Sequence, residues 1–244
     1  MIVYFVKESV GLFRKFFSIH LFHSERKAGS MMILWIVSAL IFGYLIGCMH
    51  GSVVAQLISG TNIKSAGVKN SGASNAAIVL GWKYGALVAF IDIFKGFAAI
   101  MAMSLLLGGS SLPEETVWTL LFLIAAGVVL GHNFPFYMKF NGGKGTAAVI
   151  GVMIALDWKL GLLGLALLIA LALATDYLVI GVLALYATFV LIAFWPADGL
   201  WPYIIAFALL LMALWKHLEN IHRIRNGSEN KVSSVLRKKA ADPH

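Results

Sequence analysis

One cysteine, Cys48, is the whole thiol content of this 244-residue chain, so an intramolecular disulfide is excluded. It lies in an apolar run and reads as a small buried hydrophobe. Charge is scarce too: Asp, Glu, Lys and Arg make up 12% of residues, against about 25% in a soluble domain. No cleavable signal peptide is evident, because the first 30 residues are amphipathic and charged throughout. No internal repeat appears, which counts against a transporter built from matching halves. The seven histidines are scattered, with no close histidine–carboxylate spacing, so no metal is expected. There is no Gly-x-Ser-x-Gly elbow and no nucleophile with an obvious partner. The Gly-Lys pair at 143–144 lacks the four-residue spacing of a Walker A loop.

What fills the space instead is hydrocarbon. Apolar residues are 60% of the chain and the mean hydropathy is +0.88. A single globular core cannot hide that excess, so lipid must cover it: the chain reads as an all-α polytopic membrane protein. The formal charge of +8 and pI near 9.6 come from basic residues between or beside the apolar runs. That placement suits anionic headgroups or an anionic substrate rather than nucleic acid.

A bilayer core of about 30 Å needs roughly 20 apolar residues per helix. Candidate spans are 31–58, 76–107 (interrupted by Lys83, Asp92 and Lys95), 117–137, 146–156, 161–175, 177–195 and 200–215. They total about seven, and the run 146–156 is short for a crossing. Trp158, Tyr177, Trp195, Trp201 and Tyr203 near the breaks suit an interfacial belt. Three units follow: an N-terminal amphipathic interfacial segment (1–30), a seven-helix membrane domain (31–231) and a basic cytoplasmic tail (232–244). Lys64, Lys69, Lys139, Lys144 and the basic residues from Lys216 onward fall on one side, and Glu114 and Glu115 on the other. By the positive-inside bias, the polar segments 59–75, 139–145 and 216–230 share the cytoplasmic face.

Each polar segment has a bland reading beside a chemical one. "NGGKG" (141–145) is either a membrane turn or an anion site, with glycine N–H groups, Lys144 and the start of a helix facing a phosphate. In "GVKNSGASN" (67–75), Asn70, Ser71, Ser74 and Asn75 are hydrogen-bond donors, and Ser74 or Asn75 is a candidate helix cap. In "KHLENIHRIRNGSE" (216–229), His217 and Asn220 share a helix face, with His222 and Arg223 elsewhere on the circumference. His217 is a base, a phosphate ligand or an interfacial residue. Asp92 and Lys95, three apart, are a structural pair or part of a site. His132 and Asn133, in "GHNFPF", orient the glycine loop.

Taken together, "GxxNxGASN", "GHNFPxxxKFxGGKG" and "HxxNIxRIxxGxE", with "DxxKG" at Asp92–Gly96 and "GS" at Gly51–Ser52, resemble the bacterial acyl-phosphate:glycerol-3-phosphate acyltransferases over roughly residues 40 to 231. The resemblance implies a seven-helix enzyme of the bacterial cell membrane with its site on the cytoplasmic face. That enzyme moves an acyl group from an acyl phosphate to the sn-1 hydroxyl of glycerol 3-phosphate, without a cofactor and without using coenzyme A or acyl carrier protein directly. Carried over, Gly142, Gly143, Lys144 and Gly145 hold phosphate. His217 and Asn220 contact substrate near the reacting groups. Asn70, Gly72 and Asn75 shape the first loop, Lys69 and Arg223 are further substrate-binding cations, and Asp92, Lys95, His132 and Asn133 support the site. The first motif departs from the family pattern: Val68 and Ile78 stand where that pattern has a phosphate-contacting Ser and an Arg, Lys69 stands in place of a Gly, and Lys64 in place of an Arg. Three functions compete: acyltransfer to a phosphorylated acceptor, binding of an anionic lipid or acyl phosphate without turnover, and transport of a small anion.

Overall fold

The structure, a computed structural model, describes residues 28–194 and 199–234, with side chains from residue 31 onward. Ten α-helices account for most of those residues: α1 (Ala28–Gly47), α2 (Gly51–Ser59), α3 (Ala73–Leu80), α4 (Trp82–Leu107), α5 (Glu114–Asn133), α6 (Thr146–Leu156), α7 (Trp158–Thr175), α8 (Leu178–Ala193), α9 (Leu200–Lys216) and α10 (Leu218–Arg225). No strand occurs among the described residues. The amphipathic segment expected over 1–30 lies outside the described residues up to position 27, and the basic tail does so beyond 234.

Four stretches are long and apolar enough to cross a bilayer: Met31–Ser59, Trp82–Leu107, Glu114–Met138 and Trp158–Thr175. The α9–α10 pair, bent by 45°, makes a fifth if it counts as one span, and α6 and α8 are apolar but shorter than a crossing needs. Four or five of the seven spans expected from hydropathy therefore meet the length criterion among the described residues. The breaks fall where the backbone is special. Gly81, at φ 89, separates α3 from α4 within what reads as one apolar run. Asp157 caps α7 by accepting from the Leu160 N–H at 2.9 Å, so α6 stops after 11 residues. Glu114 and Glu115 open α5, where carboxylates complement the positive end of the helix dipole.

The outer faces are as apolar as the inner ones. Leu57, Ile33, Phe90 and Phe94 are exposed, as lipid contact requires. Because lipid is as apolar as a leucine core, close backbone packing must hold such helices together. Gly43 and Gly47 on α1 face Gly127 and Gly131 on α5. A Cβ on Gly47 would overlap the Val128 carbonyl, and one on Gly131 the Tyr44 carbonyl. Gly96 on α4 meets Ala148 on α6, and Gly151 on α6 meets Ile93 on α4, in the same way. Around these seams lie Phe122, Phe189, Ile100, Met153 and Leu185, fully buried. The α5 and α6 ends that bracket residues 134–145 are therefore held by two rigid helix pairs.

Candidate active site

The segment between α5 and α6 folds back on the helix it has just left. After Asn133, Pro135 stops the helix and Phe136–Met138 form one 3-10 turn. Lys139 and Phe140 then take φ of 53° and 57°, reversing the chain. Gly142 N–H donates to the Asn133 carbonyl and Gly143 N–H to the His132 carbonyl, both at 3.0 Å. A Cβ on Gly142 would strike the His132 carbonyl, and one on Gly143 the His132 ring. These two glycines are thus needed for approach to α5, and their N–H groups are already engaged. The groups left to meet an anion are Lys144 and the first turn of α6, whose N–H groups lack intrahelical partners. Gly145 opens α6 at φ 84, a conformation other residues resist.

Lys144 reaches the third polar segment, and its ammonium donates to the Asn220 side-chain oxygen. Asn220 Nδ2 donates to Glu229 Oε1 at 2.7 Å, and Arg223 Nε donates to Glu229 Oε2 at 2.6 Å. Arg223 and Asn220 therefore meet through Glu229 rather than pointing apart. Burial, reinforced by the Arg223 charge, lowers the Lys144 pKa to about 8; Glu219 and Glu229 oppose the shift and Lys216 adds to it. His217 sits at the 45° bend, where α9 ends and α10 begins, and is buried. Its Nδ1 lies 2.8 Å from the Ala213 carbonyl oxygen. A carbonyl only accepts, so in the neutral ring Nδ1 carries the proton and Nε2 is the basic nitrogen.

The first polar segment joins through Lys64, whose ammonium donates to the Asn141 carbonyl. Burial lowers the Lys64 pKa below its ordinary value. Asn75 organises this loop: Oδ1 accepts from Val68 N–H at 2.8 Å, and Nδ2 donates to the carbonyls of Ile63 and Asn70 at 2.7 and 2.8 Å. The helix cap expected at Ser74 or Asn75 is instead Gly72, because Asn75 spends its side chain backwards on the loop. Asn70 closes a local turn onto Gly72 N–H at 3.1 Å. Lys69, at φ 54, is exposed, and its side chain makes no hydrogen bond or ion pair to the other candidate residues among those described. Val68 is half-buried and Ile78 exposed.

Beneath the loop, Asp92 and Lys95 form a buried pair at 2.9 Å on α4. The Lys95 ammonium also lies 3.0 and 2.6 Å from the carbonyls of Gly47 and Met49, at the α1–α2 break, and 2.8 Å from His132 Nδ1. His50, Asp92 and His132 bring donor atoms within 4.8 Å of one another. Sequence spacing shows no such histidine–carboxylate cluster, since its members come from the α1–α2 break, α4 and α5. A divalent cation would have to share that space with the Lys95 ammonium, which lies against Asp92 Oδ1 and His132 Nδ1. Both His50 ring nitrogens and Asp92 Oδ2 are buried with no hydrogen-bond partner among the described residues. Asn133 is fully buried, and neither its Oδ1 nor its Nδ2 has a hydrogen-bond partner among the described residues.

The structure therefore joins Lys144 with Asn220 and Arg223, joins Lys95 with Asp92 and His132, and leaves Lys69 apart. Sequence reasoning missed Glu229, His50 and Lys64 as connecting residues. The last letter of "HxxNIxRIxxGxE" was the signal available for Glu229.

Against known proteins, the profile described as "Glycerol-3-phosphate acyltransferase" matches residues 37–227. "Glycerol-3-phosphate acyltransferase 1" of Oceanobacillus iheyensis is 45% identical over 208 residues, covering 85% of this chain and 100% of that protein. The glycerol-3-phosphate acyltransferase of a Thermoanaerobacter species is 32% identical, covering 82% and 96%. Among solved structures, PlsY (YgiH), an integral membrane glycerol 3-phosphate acyltransferase, in its glycerol 3-phosphate form superposes with a TM-score of 0.70 at 29% identity, over 80% of this chain and 94% of that one. Its lysophosphatidic acid form gives 0.66 at 27% identity, over 84% and 98%. The chain with the Lys144–Asn220 closure between its glycine loop and its last helix belongs to the glycerol-3-phosphate acyltransferase family.

Proposed function

We propose that this chain transfers an acyl group from a fatty acyl phosphate to the sn-1 hydroxyl of glycerol 3-phosphate, giving lysophosphatidate and inorganic phosphate, at the cytoplasmic face of a bacterial cell membrane. The observation that carries the reading is the Lys144–Asn220 contact. It closes the glycine loop on the segment that follows His217, so a cation and an amide meet at the polar end of the bundle. The related structures in glycerol 3-phosphate and lysophosphatidic acid forms support the acceptor and the product. The motif set supports the acyl-phosphate donor, and the lysine and arginine distribution supports the cytoplasmic face.

An acyl phosphate is a mixed anhydride, already activated, so positioning and charge compensation carry most of the catalysis. The acceptor hydroxyl oxygen attacks the acyl carbon and the bond from that carbon to the phosphate oxygen breaks. The hydroxyl proton leaves to His217 Nε2, made the basic nitrogen by the Nδ1–H bond to Ala213, and ends on the released phosphate. Lys144 offsets phosphate charge.

Val68 in the first loop and Ile78 on α3, apolar where the family pattern has a Ser and an Arg, favour one second reading: a different phosphorylated acceptor with the same donor. The test is transfer of labelled glycerol 3-phosphate into lysophosphatidate by purified protein with palmitoyl phosphate, beside Lys144→Ala and His217→Ala. Product from the parent and loss of it in both variants supports acyltransfer. No product, with palmitoyl phosphate bound, rejects glycerol 3-phosphate as the acceptor.

A further inference from the structure

The match to the family ends at residue 227, yet the chain beyond it is tied down. Residues 227–234 run from the end of α10 to the turn between α7 and α8 and dock on Asp176. Val232 N–H donates to the Asp176 carbonyl at 3.0 Å. Ser233 N–H donates to Asp176 Oδ1 at 2.7 Å, and the Ser233 hydroxyl to Oδ2 at 2.8 Å. Asp176 itself sits at φ 65, a left-handed conformation that a non-glycine residue keeps only when its surroundings support it. The near end of the segment is also fixed: Ser228 and Glu229 N–H groups donate to the Arg223 carbonyl at 2.8 and 3.2 Å.

Glu229 stands between these two anchors. Its carboxylate accepts from Asn220 and from Arg223, and the other end of the Asn220 amide receives Lys144. Hydrogen bonds at either end of the short backbone strap between Glu229 and Ser233 thus connect the α7–α8 turn to the lysine of the glycine loop. We propose that Asp176 is a positioning residue: by latching Ser233 it holds Glu229, and through Glu229 it aims Asn220 and Lys144 at the phosphate of the acceptor. The inference rests on the acyltransfer reading for the identity of that acceptor. The latch itself does not.

This connection separates two kinetic effects. His217 is oriented by Ala213 on α9 and makes no hydrogen bond to the strap among the described residues, although the Lys144 and Glu229 charges both act on it. Loosening the strap therefore displaces the binding groups and leaves the orientation of the proton acceptor in place. Misplacement by about 1 Å in such a site costs up to about 100-fold, and a tether still fixed at Arg223 allows less than that.

The experiment uses the full-length chain carrying Ser233→Asp, which sets a second carboxylate against Asp176, and the exchanged pair Asp176→Ser with Ser233→Asp. Expected for Ser233→Asp are a KM for glycerol 3-phosphate raised roughly tenfold, a smaller fall in kcat, and faster amide hydrogen exchange at Ser228 and Glu229. The exchanged pair restores the contact and returns both readouts toward the parent. An unchanged KM overturns the proposal, whether or not exchange accelerates, because the strap would then position nothing. A parent that makes no lysophosphatidate removes the acyltransfer reading instead. Exchange then judges the latch alone: acceleration at Ser228 and Glu229 supports it, and unchanged protection overturns it.

Discussion

Lys144 is the residue on which pH should act most visibly. Burial and the Arg223 charge hold its pKa at about 8, below the ordinary lysine value. A lowered lysine pKa means that the ammonium is present below about pH 8 and lost above it. Glycerol 3-phosphate is already a dianion above pH 7, since its second pKa is near 6, so over pH 7 to 9 the titrating charge belongs to the protein. With only the charged form binding, the protonated fraction falls from about 0.9 at pH 7 to about 0.1 at pH 9, and KM for glycerol 3-phosphate rises roughly tenfold. Bound dianion stabilises the ammonium, so kcat at saturating acceptor changes less than KM. The assay is initial rate against glycerol 3-phosphate at half-unit pH steps with palmitoyl phosphate, subtracting its non-enzymatic hydrolysis. Lys144→Arg keeps its charge throughout and should show a flat KM. A flat KM in the parent up to pH 9, or the same rise in Lys144→Arg, would refute the reasoning.

Three further perturbations test the architecture. Gly131→Ala forces a Cβ into the Tyr44 carbonyl and pries α1 from α5; it should cost about 1–3 kcal/mol and lower the thermal midpoint in detergent. Gly96→Ala on the α4–α6 seam serves as a parallel case, and a neutral result at both sites would contradict close glycine packing. Lys95→Met leaves Asp92 buried without its cation and should destabilise by about 3–5 kcal/mol, with Asp92→Leu added in the same chain recovering much of the loss; equal loss in single and double variants would show that the pair is not what matters. Tyr186 is fully buried and its hydroxyl has no hydrogen-bond partner among the described residues. Tyr186→Phe should therefore leave the thermal midpoint unchanged or raise it, and a loss above about 1 kcal/mol would reveal a bridging water.

Membrane class and most span positions are legible in the sequence because hydropathy is a local property. The short helix α6 is readable as such, with Thr146–Leu156 matching the run between Gly145 and Asp157. The α1–α2 break at Cys48–His50 is not readable, since the few polar residues there lie inside a run apolar enough on both sides to pass for one span. What stabilises the break is Lys95, 46 residues further on, taking up the exposed Gly47 and Met49 carbonyls. The gathering of the three polar segments follows from the charge distribution, but the hand-offs inside the site do not. Lys64 to Asn141, and Glu229 between Asn220 and Arg223, are contacts set by helix packing. In "NGGKG" the glycines look like anion ligands, whereas the structure spends Gly142 and Gly143 N–H groups on α5 and leaves Lys144 facing Asn220. The Asp176–Ser233 latch spans 57 residues and carries no motif signal at all.

The most direct test of the central claim is the donor. Purified protein would be given glycerol 3-phosphate with either palmitoyl phosphate or palmitoyl-coenzyme A, and product identity, acyl position and released phosphate followed together. The account predicts 1-acyl lysophosphatidate and inorganic phosphate in equal amounts from palmitoyl phosphate, and no product from the thioester. Turnover with the thioester, acylation at the second hydroxyl, or lysophosphatidate without phosphate release would contradict it.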